Sequence, residues 1–285
     1  MSFDDAPIHP GSRSLLGLQF HTGGTEAMHN LIRKTLHARQ KAFIAHLNLH
    51  AVCLGLKHPW FRDFINRSQF VYCDGEALCW AAKILGEPVP PKTGLTRWIW
   101  DLAGLCEKEG ARLFLLGGNP GVAEEAALKL KRRYPGLKMA GTHDGYFSRE
   151  GAENREVIEM LNAAQPDIVV VAFGMPFQEK WIAENWPYFV RGIFVPGGGV
   201  LDYTAGRNAA APAWIVHGHL EWLYRVWKEP RRLAGRYAAE IPYFLWVVLK
   251  EKLKRSRPNG SLIVSQSLTL HRSQKEPRES SSDKV

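Results

Sequence analysis

The chain has 285 residues, 45% of them hydrophobic and 23% charged, so it reads as a folded globular protein and not a disordered one. At that length it can bury roughly 75% of its unfolded surface, enough for one large core. Its net charge of +9 points to an anionic partner, and its four cysteines (Cys53, Cys73, Cys79, Cys106) lack metal-ligand spacing and read as buried thiols of a reducing compartment. The first residues carry Asp4 and Asp5 and no apolar run, so no signal peptide is expected. Nowhere does the chain approach the ~18–20 apolar residues of a spanning helix.

In chain order, a loose N-terminus (1–14) precedes a strand over Leu15–Phe20 and an amphipathic helix over Thr25–Gln40. A strand over Lys41–Asn48, a helix near Ala51–Asn66 and a short strand over Phe70–Cys73 follow. The last ends at Asp74-Gly75, before a helix over Glu76–Leu85. Pro88 to Gly94 is too rich in proline for a helix and is expected to be an ordered loop. Then strands at Arg112–Leu116, Met139–Thr142 and Ile168–Phe173 alternate with helices at Val122–Arg133, Glu153–Ala164 and Gln178–Trp186. This alternation predicts an α/β fold: a Rossmann-like parallel sheet flanked by helices, over residues 15–206. Right-handed crossovers would put every strand-to-helix turn on one edge.

Beyond Gly206 the pattern is helical only, with Trp214–Lys228 and Arg231–Lys254 separated at Pro230. This stretch (207–255) reads as a helical, membrane-facing appendage. Its Arg225, Lys228, Arg231, Arg232, Arg236, Lys250, Lys252, Lys254 and Arg255, with Arg257 just beyond, are opposed only by Glu229, Glu240 and Glu251. Basic residues interleaved with Trp214, Trp222, Trp227 and Trp246 suit an anionic membrane surface or a lipid diphosphate. No recognised nucleic-acid motif accompanies them, so no nucleic-acid partner is expected. Residues 256–285 are polar and are expected to form a disordered tail.

Three strand ends carry chemistry. Phe173-Gly174-Met175-Pro176-Phe177-Gln178-Glu179 follows a buried strand and opens a helix, aiming a helix N-terminus and an amide at the ligand edge of the sheet. Gly197-Gly198-Gly199, followed by Asp202, repeats the device after Arg191–Pro196. Gly117-Gly118-Asn119-Pro120-Gly121 offers backbone N–H groups to a diphosphate, or is a plain tight turn; it lacks the Gly-x-Gly-x-x-Gly spacing of a nicotinamide fingerprint. Asp74 reads as a general base or as the cap of the helix after it, and Asp202 has the same ambiguity. His143-Asp144 is adjacent in sequence and suits a loop better than a dyad. There is no Asp-x-Asp to clamp a metal, and no Gly-x-Ser-x-Gly, His-Glu-x-x-His or Walker sequence. Arginines are then the natural groups to stabilise a leaving diphosphate.

Taken together, Asn48, Cys73-Asp74-Gly75, Leu115 to Gly121, Tyr134-Pro135, Gly141 with His143 to Phe147, Gly174 to Trp181, Gly197 to Gly199 with Asp202, Leu220 to Arg225 and Glu229 to Arg232 with Arg236-Tyr237 resemble the WecG/TagA/CpsF family of bacterial glycosyltransferases, over roughly residues 15–240. The resemblance implies an inverting, metal-independent transfer, with no cofactor. The sugar would pass from a UDP-sugar donor to a polyprenyl-diphosphate-linked sugar acceptor at the inner face of the cytoplasmic membrane, in surface or exopolysaccharide synthesis. It implies Asp74 as catalytic base and Asn48, His46, Gly117, Gly118, Gln178, Glu179, Gly198, Asp202, Arg225, Arg231, Arg232 and Arg236 as substrate-binding, and it leaves a homo-oligomer open. The chain departs from the family at His46, where Thr is usual, at Pro91, Lys92 and Arg97, where a loop Arg is expected, and at Ala210-Ala211, where Arg-Ala precedes the proline. The donor is therefore left between an N-acetylmannosaminyl and a glucosyl type. A nicotinamide-binding oxidoreductase and a non-catalytic peripheral subunit of a polysaccharide assembly complex are the alternatives.

Overall fold

The computed structural model describes residues 11–209, 211–212, 214–215 and 220–256. The chain opens with a hairpin, β1 (Ser12–Leu15) and β2 (Leu18–His21), and continues through α1 (Gly24–Ala38), β3 (Lys41–Leu47), α2 (Leu49–Lys57), α3 (Pro59–Arg67), β4 (Phe70–Cys73) and α4 (Ala77–Leu85). Next come α5 (Leu95–Glu109), β5 (Arg112–Gly117), α6 (Val122–Arg133), β6 (Lys138–His143), α7 (Gly151–Ala164), β7 (Ile168–Ala172), α8 (Phe177–Asn185), β8 (Gly192–Pro196) and α9 (Val200–Thr204). Two further helices among the described residues, α10 (Glu221–Lys228) and α11 (Pro230–Ser256), close the chain.

Six strands form a parallel sheet in the order β4-β3-β8-β7-β5-β6, as the alternating pattern predicts. Helices cover both faces because the central strands are apolar on both sides. Phe114, Leu116, Val169 and Val171 point into one core with Phe61, Phe64 and Trp181. Leu113, Leu115, Ile168 and Val170 point into the other with Trp98, Ile99 and Leu130. Helix α11 belongs to the first core through Phe244 and Val248. Among the described residues no helix is long and apolar enough to cross a membrane.

Three expectations change. The strand over Leu15–Phe20 is interrupted: Leu18–Phe20 lies in β2 and Leu15 ends β1, while Leu16 (φ 55°) and Gly17 (φ 78°) reverse the chain between them. The helix near Ala51–Asn66 is two helices, because His58 before Pro59 is held extended (φ −121°, ψ 109°) and Pro59 starts a new one. Helix α5 went unread; Leu95, Trp98, Ile99, Leu102 and Cys106 recur at helical spacing and are buried. The expected helix over Trp214–Lys228 is described as a helix from Glu221, and residues 216–219 and 257–285 lie outside the described residues. All four cysteines are buried and free.

Candidate active site

The turns after β3, β4, β5, β7 and β8 lie on one edge of the sheet and enclose a cleft of about 1040 Å³, whose far wall is α10 and α11. Asp74 stands at its floor. Its backbone N–H extends the β3–β4 ladder to Leu47 O (2.9 Å), and the Thr93 N–H donates to Cys73 O (2.8 Å), so strand and proline loop fix the carboxylate from both sides. The helix after it begins at Ala77 with Glu76 at its N-cap position and no side-chain cap bond, so the capping alternative for Asp74 fails. The Asp74 carboxylate is half-buried, faces the cleft and takes no hydrogen bond from the described residues. A carboxylate held by its backbone with its oxygens uncommitted suits proton abstraction.

Asn48 lines the cleft from the end of β3, where its Oδ1 caps α2 by accepting from Ala51 N (2.9 Å). His46, two residues earlier, is buried and stacks on Tyr72 of β4 at 5.5 Å. Tyr72 keeps a buried hydroxyl without a partner, and burial pushes its phenol well above the usual range. Gln178 is 0% exposed beneath the cleft surface; its Oε1 accepts from Gly198 N (2.8 Å) and its Nε2 donates to Glu179 Oε1 (2.8 Å). It clamps two glycine turns together and does not project into solvent. Glu179 is buried behind it, and burial pushes its carboxyl up to about 8.

Of the other predicted residues, Gly118, Gly198, Asp202 and Arg236 line the cleft, while Gly117, Glu179 and Arg231 do not. Gly117 is a packing requirement: φ is 134°, and a Cβ there would lie 2.4 Å from Ala172 O. Arg236 keeps its Nε buried without a hydrogen-bond partner among the described residues. The side chains of Arg225 and Arg232 lie outside the described residues. Asp144 shapes its loop, accepting from Tyr146 N (2.8 Å), and His143 Nδ1 lies 2.8 Å from Asp144 O, so the pair forms no dyad.

The cleft also holds residues that sequence reasoning missed. Lys92 of the proline loop, which the sequence marked only as a departure where a loop Arg is expected, lines it and pairs with Glu76. Arg149, in the loop after β6, lines it opposite Asp74's end of the sheet. His50 of α2 pairs with Glu240 of α11, tying the far wall to the sheet edge. Cys73 and Cys79 lie against each other beside Asp74, Sγ to Sγ 3.6 Å. Their hydrogen bond pulls the Cys79 thiol down to about 7 and pushes Cys73 up. Among the described residues no three His, Cys, Asp or Glu side chains are grouped to hold a metal ion.

A parallel sheet whose strand ends frame one cleft, lined by the Asp74 carboxylate and by glycine turns, is an α/β protein with a ligand-binding edge. Residues 13–258 match the Glycosyl transferase WecG/TagA/CpsF family, and the chain belongs to that family and is a glycosyltransferase. A relative from Bacillus spizizenii is 29% identical over 224 residues, covering 79% of this chain and 85% of the relative. A second, from Bacillus subtilis, is 28% identical over 211 residues, covering 74% and 80%. A third, from Staphylococcus aureus strain MW2, is 28% identical over 244 residues, covering 84% and 93%. All three are named N-acetylglucosaminyldiphosphoundecaprenol N-acetyl-beta-D-mannosaminyltransferase. Family membership displaces the oxidoreductase alternative.

Proposed function

We propose that this enzyme transfers a sugar, of N-acetylmannosaminyl or glucosyl type, from a UDP-sugar to a polyprenyl-diphosphate-linked saccharide. Asp74 takes the proton of the acceptor hydroxyl as its oxygen attacks the anomeric carbon. The new C–O bond forms as the bond to the diphosphate breaks, and UDP leaves with the bonding pair. One in-line displacement inverts the anomeric centre. The observation that carries this reading is the Asp74 carboxylate, held at the cleft by backbone bonds of its residue and its neighbour and committed to no donor among the described residues. Cations on the cleft walls, Lys92 and Arg236, support charge compensation of the leaving diphosphate without a metal. The names of the relatives favour the N-acetylmannosaminyl donor and an N-acetylglucosaminyl-diphospholipid acceptor.

The lipid-linked acceptor requires a membrane surface, and we assign it to α10 and α11. Their exposed Leu223, Trp227, Leu245, Trp246, Leu249 and Leu253 alternate with lysines beside the cleft mouth, which supports peripheral attachment at an anionic leaflet.

The test is label transfer to the organic phase from a panel of UDP-sugars, using a detergent-solubilised polyprenyl-diphosphate-sugar acceptor with chelator present. Transfer from one donor is expected. No transfer from any donor by folded protein, with N-acetylglucosamine and glucose acceptors both tried, would return weight to a non-catalytic subunit.

A further inference from the structure

Arg149 is half-buried at the cleft wall, and its guanidinium carbon lies 4.7 Å from the Phe173 ring and 5.4 Å from the Phe177 ring. Its Nε is buried with no hydrogen-bond partner, and no acidic side chain pairs with it among the described residues. Glu153, which also lines the cleft, accepts from Ser148 N (2.6 Å). Burial lowers the affinity of the guanidinium for its proton, as expected for a cation drawn from water without a counter-ion. Its donors, unpaired among the described residues, are left to solvent or to an anion entering the cleft.

The loop that carries Arg149 is built to hold it still. Gly145 N donates to Gly118 O (2.9 Å), Tyr146 N donates to Asp144 Oδ1 (2.8 Å), and Phe147 packs on Phe173 at 5.6 Å. The two phenylalanine faces seat the guanidinium by cation–π contact, which consumes none of its N–H donors. A fork of donors unpaired among the described residues is left at the cleft surface, which the Gly118-Asn119 turn also lines. The geometry points to Arg149 as the binding residue for a diphosphate group.

A diphosphate occurs in both substrates, and the fold separates them. The lipid-linked diphosphate must approach along α10 and α11, which carry the exposed apolar residues. Arg149 lies on the opposite wall, over the end of β7, three strands from Asp74 in the order β4-β3-β8-β7. That is about 14 Å at the usual inter-strand spacing, a span into which the acceptor hydroxyl, the donor's anomeric carbon and its diphosphate fit in line. Arg149 therefore takes the donor's diphosphate. This inference rests on the glycosyl-transfer reading and adds to it a residue that no motif marked.

The experiment measures binding of UDP and of uridine to the full chain by calorimetry, and KM for donor and acceptor, in wild type, Arg149→Met and Arg149→Lys. Arg149→Met should weaken UDP at least tenfold, leave uridine binding unchanged and raise donor KM with acceptor KM unmoved. Arg149→Lys should recover part of the loss, because it restores the charge without the planar fork. Unchanged UDP affinity in folded Arg149→Met would overturn the assignment, as would equal losses for UDP and uridine. A rise in acceptor KM alone would move the residue to the lipid diphosphate and overturn the donor assignment. Wild type that binds no UDP would instead reject the glycosyl-transfer reading itself.

Discussion

Glu179 is 1% exposed, with Oε1 accepting from Gln178 and Oε2 buried without a partner. Burial raises its carboxyl from 4.5 to about 8, so the folded protein keeps this proton at neutral pH. Between those values the unfolded chain has released the proton and the folded chain holds it. Stability therefore falls as pH rises through that window, by about 1.4 kcal/mol per pH unit, and levels off above it. Glu179→Gln keeps the acceptor for Gln178 and carries no such proton. Its stability relative to wild type should rise from pH 5 to pH 8, read by urea unfolding at each pH; parallel profiles would show that Glu179 is ionised in the fold. This residue also marks a limit of sequence reading. Gln178 and Glu179 stand together in one motif, yet one lines the cleft and the other supports it from behind. Residue type does not encode that difference; the helix turn that divides them does. Arg149 escaped for the same reason, and Lys92 was read only as a departure from an expected arginine, since side-chain direction in a loop leaves no periodic trace.

At the scale of elements, the parallel strands were legible because strands buried on both faces read as continuous apolar runs, as Ile168 to Ala172 does. The first hairpin was not, because its turn places Leu16 at positive φ where Asn or Gly would have announced it. Helix α5 starts at Gly94 with no side-chain cap and follows a proline-rich loop, so the usual start signal is missing. Helix α11 divides its surface by function. Phe244 and Val248 enter the core, while Trp246 (57% exposed) and Leu249 (54%) turn away from it. Phe244→Ala should cost about 3–5 kcal/mol in urea unfolding, the usual range for emptying a buried phenylalanine site. Trp246→Glu should leave stability within about 0.5 kcal/mol and reduce flotation with anionic liposomes. Flotation unchanged by Trp246→Glu would remove this face of α11 from the proposed membrane contact.

For the whole molecule, the sheet order decides where chemistry can occur. The strand ends of β4 and β3 bring Asp74 and Asn48 together, and β7 and β8 bring the Gln178–Gly198 clamp beside them. Residues as far apart in sequence as Asn48 and Gly198 meet only because β8 inserts next to β3, a crossover that local spacing does not reveal. The His50–Glu240 pair, with Cys53 Sγ donating to Glu240 O (3.8 Å), then fastens α11 across the opening. The Asp74 carboxylate, without a donor among the described residues, and the exposed apolar residues of α10 and α11 thus belong to the two walls of one cleft.

The measurement that tests this most directly is the initial rate of sugar transfer to the lipid-linked acceptor by Asp74→Asn beside wild type, with circular dichroism and UDP binding as controls. Loss of a positioned general base should lower the rate by about 10²–10⁴-fold while fold and UDP affinity persist. A folded, UDP-binding Asp74→Asn protein that transfers sugar at the wild-type rate would contradict the assignment of Asp74 as the base.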